Sequence, residues 1–324
     1  MTFTINGSPF ITPDRTMKVT TFSLLGTNTN LIVHSVPNVV GTVSGYSSGG
    51  ILAPGSQTNV IDKFPFATNA NATDVGDLTV ARQLVAGQSS AENGYTSGGF
   101  GPTTSNVIDK FPFAANANAT DVGDLTAARS RPTGQSSIAS GYTSGGSSWN
   151  RIDKFPFASN ANATTVGNLT VDRGDTAGQS SIENGYTSGG YAPTGNSNII
   201  DKFPFASDAN ASDVGDLSVT RYGPSGQSST VSGYTSGGRI LPPISNIIDK
   251  FPFATNSNAT DVGDLTVSRW LNAGQSSTVS GYTSGGYSGA NSNVIDKFPF
   301  ASDANATDVG DLTQDVRELT GQQN

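Results

Sequence analysis

At 324 residues the chain could hold two average domains or one large repeat domain around a single axis; hydrophobic residues are 34% and charged residues only 13%, which disfavours a long solvated helix. A net charge of -8 with many short apolar runs disfavours a disordered polyelectrolyte, and 17 basic against 25 acidic residues argue against general nucleic-acid binding. With no cysteine and the single histidine His34, disulfides, thiolate metal sites, multi-histidine metal centres and two-histidine active sites are excluded.

Residues 1–37 carry no repeat. The opening MTFTINGSPF lacks the basic flank and apolar core of a signal peptide. TMKVTTFSLL and NLIVHSV alternate or run apolar and read as strands. This arm is expected either to close a ring by adding a strand or to attach the repeat domain to a partner. No apolar stretch approaches the length of a membrane-spanning helix.

From residue 38 to 324 one block recurs six times: GYTSGG, a variable stretch, IDKFPFA, a polar Asn/Asp/Ala loop, DVGDLT, an arginine, then GQSS. The second glycines of the paired glycines are Gly50, Gly99, Gly146, Gly190, Gly238 and Gly286, spaced 49, 47, 44, 48 and 48 residues apart. Length varies in one place, between the glycine pair and the isoleucine (Ile61, Ile108, Ile152, Ile200, Ile248, Ile295), where the separations are 11, 9, 6, 10, 10 and 9. A fixed scaffold with one tolerant loop per repeat follows, and the six loops should emerge on one face.

Each block reads as three to four short antiparallel strands; no segment shows a capped helical stripe. One such sheet cannot bury both faces, so it must stack on its neighbours. The expected fold is therefore all-β, a six-bladed β-propeller of about 47-residue repeats. An open solenoid is the rival. The closing GQQN resembles the start of a seventh unit and could sit beside the first block to close a ring.

Within the block, the paired glycines are expected to allow close backbone approach near the axis or a positive φ. Phe64 and Phe66, either side of Pro65, are expected to split between the inter-blade space and the loop, and Val75 and Leu78 to be inter-blade core. The repeated lysines and arginines (Lys63 to Lys297, Arg82 to Arg317) and the Asp after each isoleucine read as structural pairs across blade boundaries. The loops Ser207–Leu217 and Ser302–Leu312 alternate oxygen ligands, which points to Ca²⁺, but the EF-hand spacing is unmet and Asx-turns explain them more economically. No metal or cofactor is therefore assigned.

The double-glycine strand GYTSGG, the IDKFPF strand, and DLTVAR followed by GQSS together resemble the kelch-type propeller repeat over residues 38 to 322, although most copies lack its tryptophan and Trp149 and Trp270 lie elsewhere. The near-identical copies also resemble repeats in virion and tail-fibre proteins of aquatic bacterial viruses. What these resemblances imply is a kelch-like propeller on a virion or extracellular surface.

Enzymatic signals are thin: no G-x-S-x-G elbow, no phosphate loop, and no unique acid pair that breaks the repeat symmetry, since Glu92 and Glu183 are equivalent. The chain is expected not to be an enzyme. Symmetry-breaking aromatic and arginine residues in the variable loops form the candidate binding surface: Phe100, Trp149, Arg151, Tyr191, Arg239 and Tyr287. The expected role is noncatalytic attachment or assembly, as a homo-oligomer or with other virion or surface proteins, binding a glycan or cell-surface receptor. A calcium-assisted lectin and a filament scaffold are the alternatives.

Overall fold

The computed structural model describes residues 4–5, 8–9, 41–147 and 149–324. The chain divides into two compact units, Met1–Val36 and Pro37–Asn324. In the first, Thr4–Ile5 pairs antiparallel with Ser8–Pro9. The strands expected at TMKVTTFSLL and NLIVHSV, and His34, lie outside the described residues.

The second unit is a six-bladed β-propeller, with no helix among the described residues. Each blade is an antiparallel sheet, and in blades 2 to 6 its four main strands follow chain order outward from the axis. In blade 2 these are Ala86–Ser89, Asn93–Ser97, Val107–Pro112 and Thr120–Asp124. The GQSS segments are the inner strands, and each touches the next around the axis until the circle is complete. The ring closes by mixing distant parts of the chain: Thr320–Gln323 is the inner strand of blade 1 and pairs with Ser44–Ser48, in register Thr320 to Ser48 and Gln323 to Gly45. The linear stack of an open solenoid is thereby replaced by a closed circle.

Three sets of side chains recur at the blade boundaries. The first is aromatic. The tyrosine of each second strand packs on two phenylalanines in the next blade, as Tyr46 does on Phe111 and Phe113 with centroids 5.7 and 4.8 Å apart, and so on round to Tyr282 on Phe64 and Phe66. The expectation that Phe64 and Phe66 would part company is corrected: both face Tyr282, because residues two apart in a strand share a face. Val75 and Leu78 join the same kind of boundary core beside Tyr46 and Ile61.

The second set is ionic. Arg82, in the linker entering blade 2, meets Asp109 at 3.1 Å, both essentially inaccessible to solvent, while Thr79 donates its backbone N–H and its hydroxyl to the same carboxylate at 3.0 and 2.7 Å. The same ion pair joins Arg129 to Asp153, Arg173 to Asp201, Arg221 to Asp249 and Arg269 to Asp296, with a threonine donating twice at each except Asp249, where Ser218 donates only its N–H. The sixth boundary departs. Counting from Thr313, which donates to Asp62 as Thr79 does to Asp109, the arginine position holds Val316. Arg317 falls one residue late and bonds Asn291 and Glu318 instead. Here the outer strand lengthens to Thr307–Arg317 and pairs with Ile51–Leu52, while Val316 and Leu319 bury beside Ile295 and Leu312. Apolar packing and a fifth strand replace the ion pair at this boundary, next to the strand that closes the ring.

The third set is amide. Each inner-strand glutamine reaches across to the next blade, as Gln88 Nε2 does to the Tyr142 carbonyl and the Thr143 hydroxyl at 3.0 Å. On the outer rim, each asparagine of the Asn-Ala-Thr/Ser triplets accepts a backbone N–H of a neighbouring blade; Asn118 takes that of Asp77 at 3.1 Å, and Asn71 that of Asp311.

The paired glycines take the positive φ that was one of their two expected roles, while the close approach at the axis belongs to another glycine. A Cβ on Gly134 would lie 1.9 Å from the Gly87 carbonyl, so the glycine of GQSS is what lets inner strands meet. The first of the paired glycines instead ends the second strand at positive φ, 65° at Gly49, with the Arg82 carbonyl 2.6 Å from a would-be Cβ.

Candidate functional site

Strands that alternate in direction put the variable loops, which join second to third strands, at the same end as the linkers between blades. The two are stitched together in all six blades. The residue after each glycine pair exchanges backbone hydrogen bonds with the residue after each boundary arginine: Phe100 with Gln83, Tyr191 with Gly174, Arg239 with Tyr222, Trp270 with Tyr287. In blade 3 Ser147 donates to Ser130, and in blade 1 Ile51 is registered on Arg317. A symmetric backbone therefore carries side chains that differ in every blade.

These positions assemble an arc over blades 4 to 6. Tyr191 meets Tyr222 at 5.6 Å, Tyr222 meets Trp270 at 5.1 Å, and Trp270 meets Tyr287 at 6.5 Å, all edge-on. The Arg239 guanidinium stands 5.3 Å from the Trp270 ring, and that of Arg317 5.1 Å from Tyr287. Of the six residues singled out in the sequence, Tyr191, Arg239 and Tyr287 are thus brought together through Tyr222 and Trp270. Trp149 and Arg151 form a separate pair on blade 3, 4.8 Å apart. Phe100 stands on blade 2 on its own ladder with Gln83, 38% exposed. No protein-family model matches the chain, and no curated protein matches it.

Inside this face lies a feature with no motif. Two residues after each arginine position, the backbone turns to positive φ at Leu84, Arg131, Asp175, Gly223, Leu271 and Glu318. These six link head to tail: Arg131 N–H donates to Leu84, Asp175 to Arg131, Gly223 to Asp175, Leu271 to Gly223, Glu318 to Leu271 and Leu84 to Glu318, at 2.7–3.1 Å. A closed hydrogen-bonded circle therefore caps the axis. Below it is a cavity of about 120 Å³, lined by inner-strand residues such as Gly87, Ser136 and Gln179.

The circle's side chains include two acids whose pKa values burial pushes up. Asp175 is opposed in this by its ion pair with Arg131, and Glu318 by Arg317. These two acids are symmetry breaks that the sequence reading overlooked, as is Asp172, which only Asp315 matches in another repeat. The aligned position that could have exposed them is occupied by leucine, arginine or glycine in the other copies.

A larger cavity, about 490 Å³, opens between blades 3 and 4, with Arg131, Ser147, Asp172, Asp175, Tyr191 and Pro193 on its walls.

On the opposite face the oxygen-rich loops are engaged by neighbours. Lys154 pairs with Asp208 and Lys250 with Asp303, while Lys110 and Lys202 bond Asn160 and Asn256. Asx-turns do occur, from Asp74 to the Gly76 N–H for example, but the triplet asparagines reach across to another blade. Among the described residues no group of three or more acids or histidines is placed to share a metal ion. This face also exposes apolar side chains at the hairpin tips Ile138, Ile182, Val231 and Val279, and at Val43 beside the seam.

Proposed function

We propose that the chain is a noncatalytic recognition propeller, kelch-like in its repeat and displayed on a virion or other extracellular surface, which binds its ligand through the variable-loop face. The observation that carries this is the arc of Tyr191, Tyr222, Trp270 and Tyr287 with Arg239 and Arg317, held on backbone positions that are equivalent in every blade. Aromatic and arginine side chains on a rigid frame lose little entropy on binding and offer both stacking and hydrogen bonding, the chemistry suited to a glycan or a surface receptor. The apolar hairpin tips on the other face fit docking to a second copy or another surface protein, leaving the loop face free for ligand.

The test is binding of labelled protein to a panel of bacterial cells and immobilised glycans. Trp270→Ala is compared with Lys202→Ala on the opposite face. Loss with the first and retention with the second is expected. Equal effects of both variants, or no binding anywhere in the panel, would contradict the reading.

A further inference from the structure

We propose that the cavity between blades 3 and 4 is a saccharide site, taking a neutral sugar ring stacked on Tyr191 with its hydroxyls bonded by Arg131 and Asp172. This rests on the recognition reading of the loop face and gives it a position and a ligand class.

The cavity has a cause in the sequence. Blade 3 carries the shortest variable stretch, with Ile152 six positions after Gly146 against nine to eleven elsewhere. The loop of blade 4 folds back as a small hairpin, Tyr191–Ala192 against Gly195–Asn196, and stands as the facing wall. Between them the ladder position opposite Tyr191 is Gly174, where other blades carry Gln83, Ser130, Tyr222 or Trp270. Gly174 therefore gives the floor bare backbone, and a Cβ there would already lie 3.1 Å from the Arg131 Cβ and the Gly146 carbonyl carbon. The result, about 490 Å³, lies within the roughly 300–1,000 Å³ of small-molecule pockets. The cavity under the axis circle is far smaller.

Its chemistry is equally local. Asp172 stands where four other repeats have Ala81, Ala128, Thr220 and Ser268 and the sixth has Asp315, and it is exposed. Arg131 replaces Leu84 and Leu271. The Asp175 carboxylate, 3% exposed, anchors the Arg131 guanidinium, whose side chain stays 44% exposed. A guanidinium has five donors in a fixed fork, so an arginine pinned at one edge presents the others without further ordering. Tyr191, 50% exposed, offers a ring face held by its backbone ladder to Gly174. A flat aromatic platform, an acceptor and a pre-oriented donor match the apolar face and the hydroxyl edge of a sugar ring. With Arg131 balanced by Asp175 and Asp172 left over, the site disfavours an anionic sugar.

The experiment screens the full chain by saturation-transfer NMR against glucose, galactose, mannose, fucose, N-acetylglucosamine and sialic acid, then titrates any hit by calorimetry. Wild type, Tyr191→Ala, Asp172→Ala, Trp270→Ala and Lys202→Ala are compared, with circular dichroism confirming each fold. A neutral sugar weakened about tenfold or more by both Tyr191→Ala and Asp172→Ala, with Lys202→Ala on the opposite face near wild type, is the expected result. Asp172 is exposed, so its variant tests the site even if Tyr191→Ala perturbs the loop. Binding that is lost with Trp270→Ala and unmoved by Tyr191→Ala and Asp172→Ala would overturn the cavity site while leaving the loop-face reading intact. Preference for sialic acid, or no saccharide bound, would overturn it as well, and the cell-panel assay would then judge the loop face separately.

Discussion

Five boundaries bury a guanidinium beside a carboxylate, and at each of them burial lowers the arginine's pKa while the aspartate pulls it back up; Arg129 comes down to about 10 and stays charged at neutral pH. Removing one partner strands the other. Arg221→Met is expected to cost about 3–5 kcal/mol in denaturant unfolding, and Arg221→Met with Asp249→Leu much less, since an apolar pair fills the same space. A double variant as damaging as the single one would argue against this. Asp62 has no such cation, and burial raises its pKa against the pull of the Thr313 hydrogen bonds. Asp175 and Glu318 are raised likewise. The folded state therefore holds protons that the unfolded chain has already released, so stability falls as pH rises through the window from the ordinary carboxylate range up to the raised values. Melting temperature should accordingly rise on mild acidification from about pH 7, and Asp62→Asn should flatten part of that slope. A melting temperature that only falls on acidification from neutrality would contradict it.

At the level of strands and loops, the inner strand tolerates least. A Cβ on Gly178 would sit 2.2 Å from the Gly134 carbonyl, and backbone cannot swing aside as a side chain can. Gly178→Ala is expected to cost about 1–3 kcal/mol or more. Asn258→Ala, which removes one outer-rim acceptor for the Asp216 N–H, should cost about 1 kcal/mol. Denaturation midpoints would rank the two, and the reverse order would sink the assignment of the axis to GQSS. Much of this was legible in the chain. Strand alternation in GQSS and IDKFPF, and one tolerant stretch per repeat, gave six sheets and a single loop face. What escaped depends on neighbours. Which glycine lies at the axis, and that Asn118 bonds Asp77 rather than its own loop, are set by partners about forty residues away. Arg317 looked like a sixth copy of Arg82, but an added residue puts Val316 in its place. The positive-φ circle carried no glycine signal, because mutual hydrogen bonds hold Leu84, Arg131, Asp175, Leu271 and Glu318 there in spite of their side chains. The candidate site was legible as residue types, not as an arrangement: Tyr191, Arg239 and Tyr287 were singled out, while Arg131, Asp172 and Asp175 were not.

On the scale of the whole molecule, a closed circle lets every blade have two neighbours, so no sheet edge or aromatic boundary is left open at the ends of the repeat array. Thr42 and Val43 both donate to the Asn324 carbonyl at 2.6 Å, fastening the two sides of the seam. The rigidity of the loop face depends on that seam, and the proposed recognition depends on that rigidity. A chain with no native cysteine allows it to be tested by cross-linking. Ser48→Cys with Thr320→Cys places two thiols on directly paired residues facing blade 2. Oxidation should give a monomeric disulfide, fast and nearly complete, that migrates as one chain on non-reducing gels and raises the melting temperature. Cross-links forming only between chains, or none forming, would show that the repeats do not close on themselves.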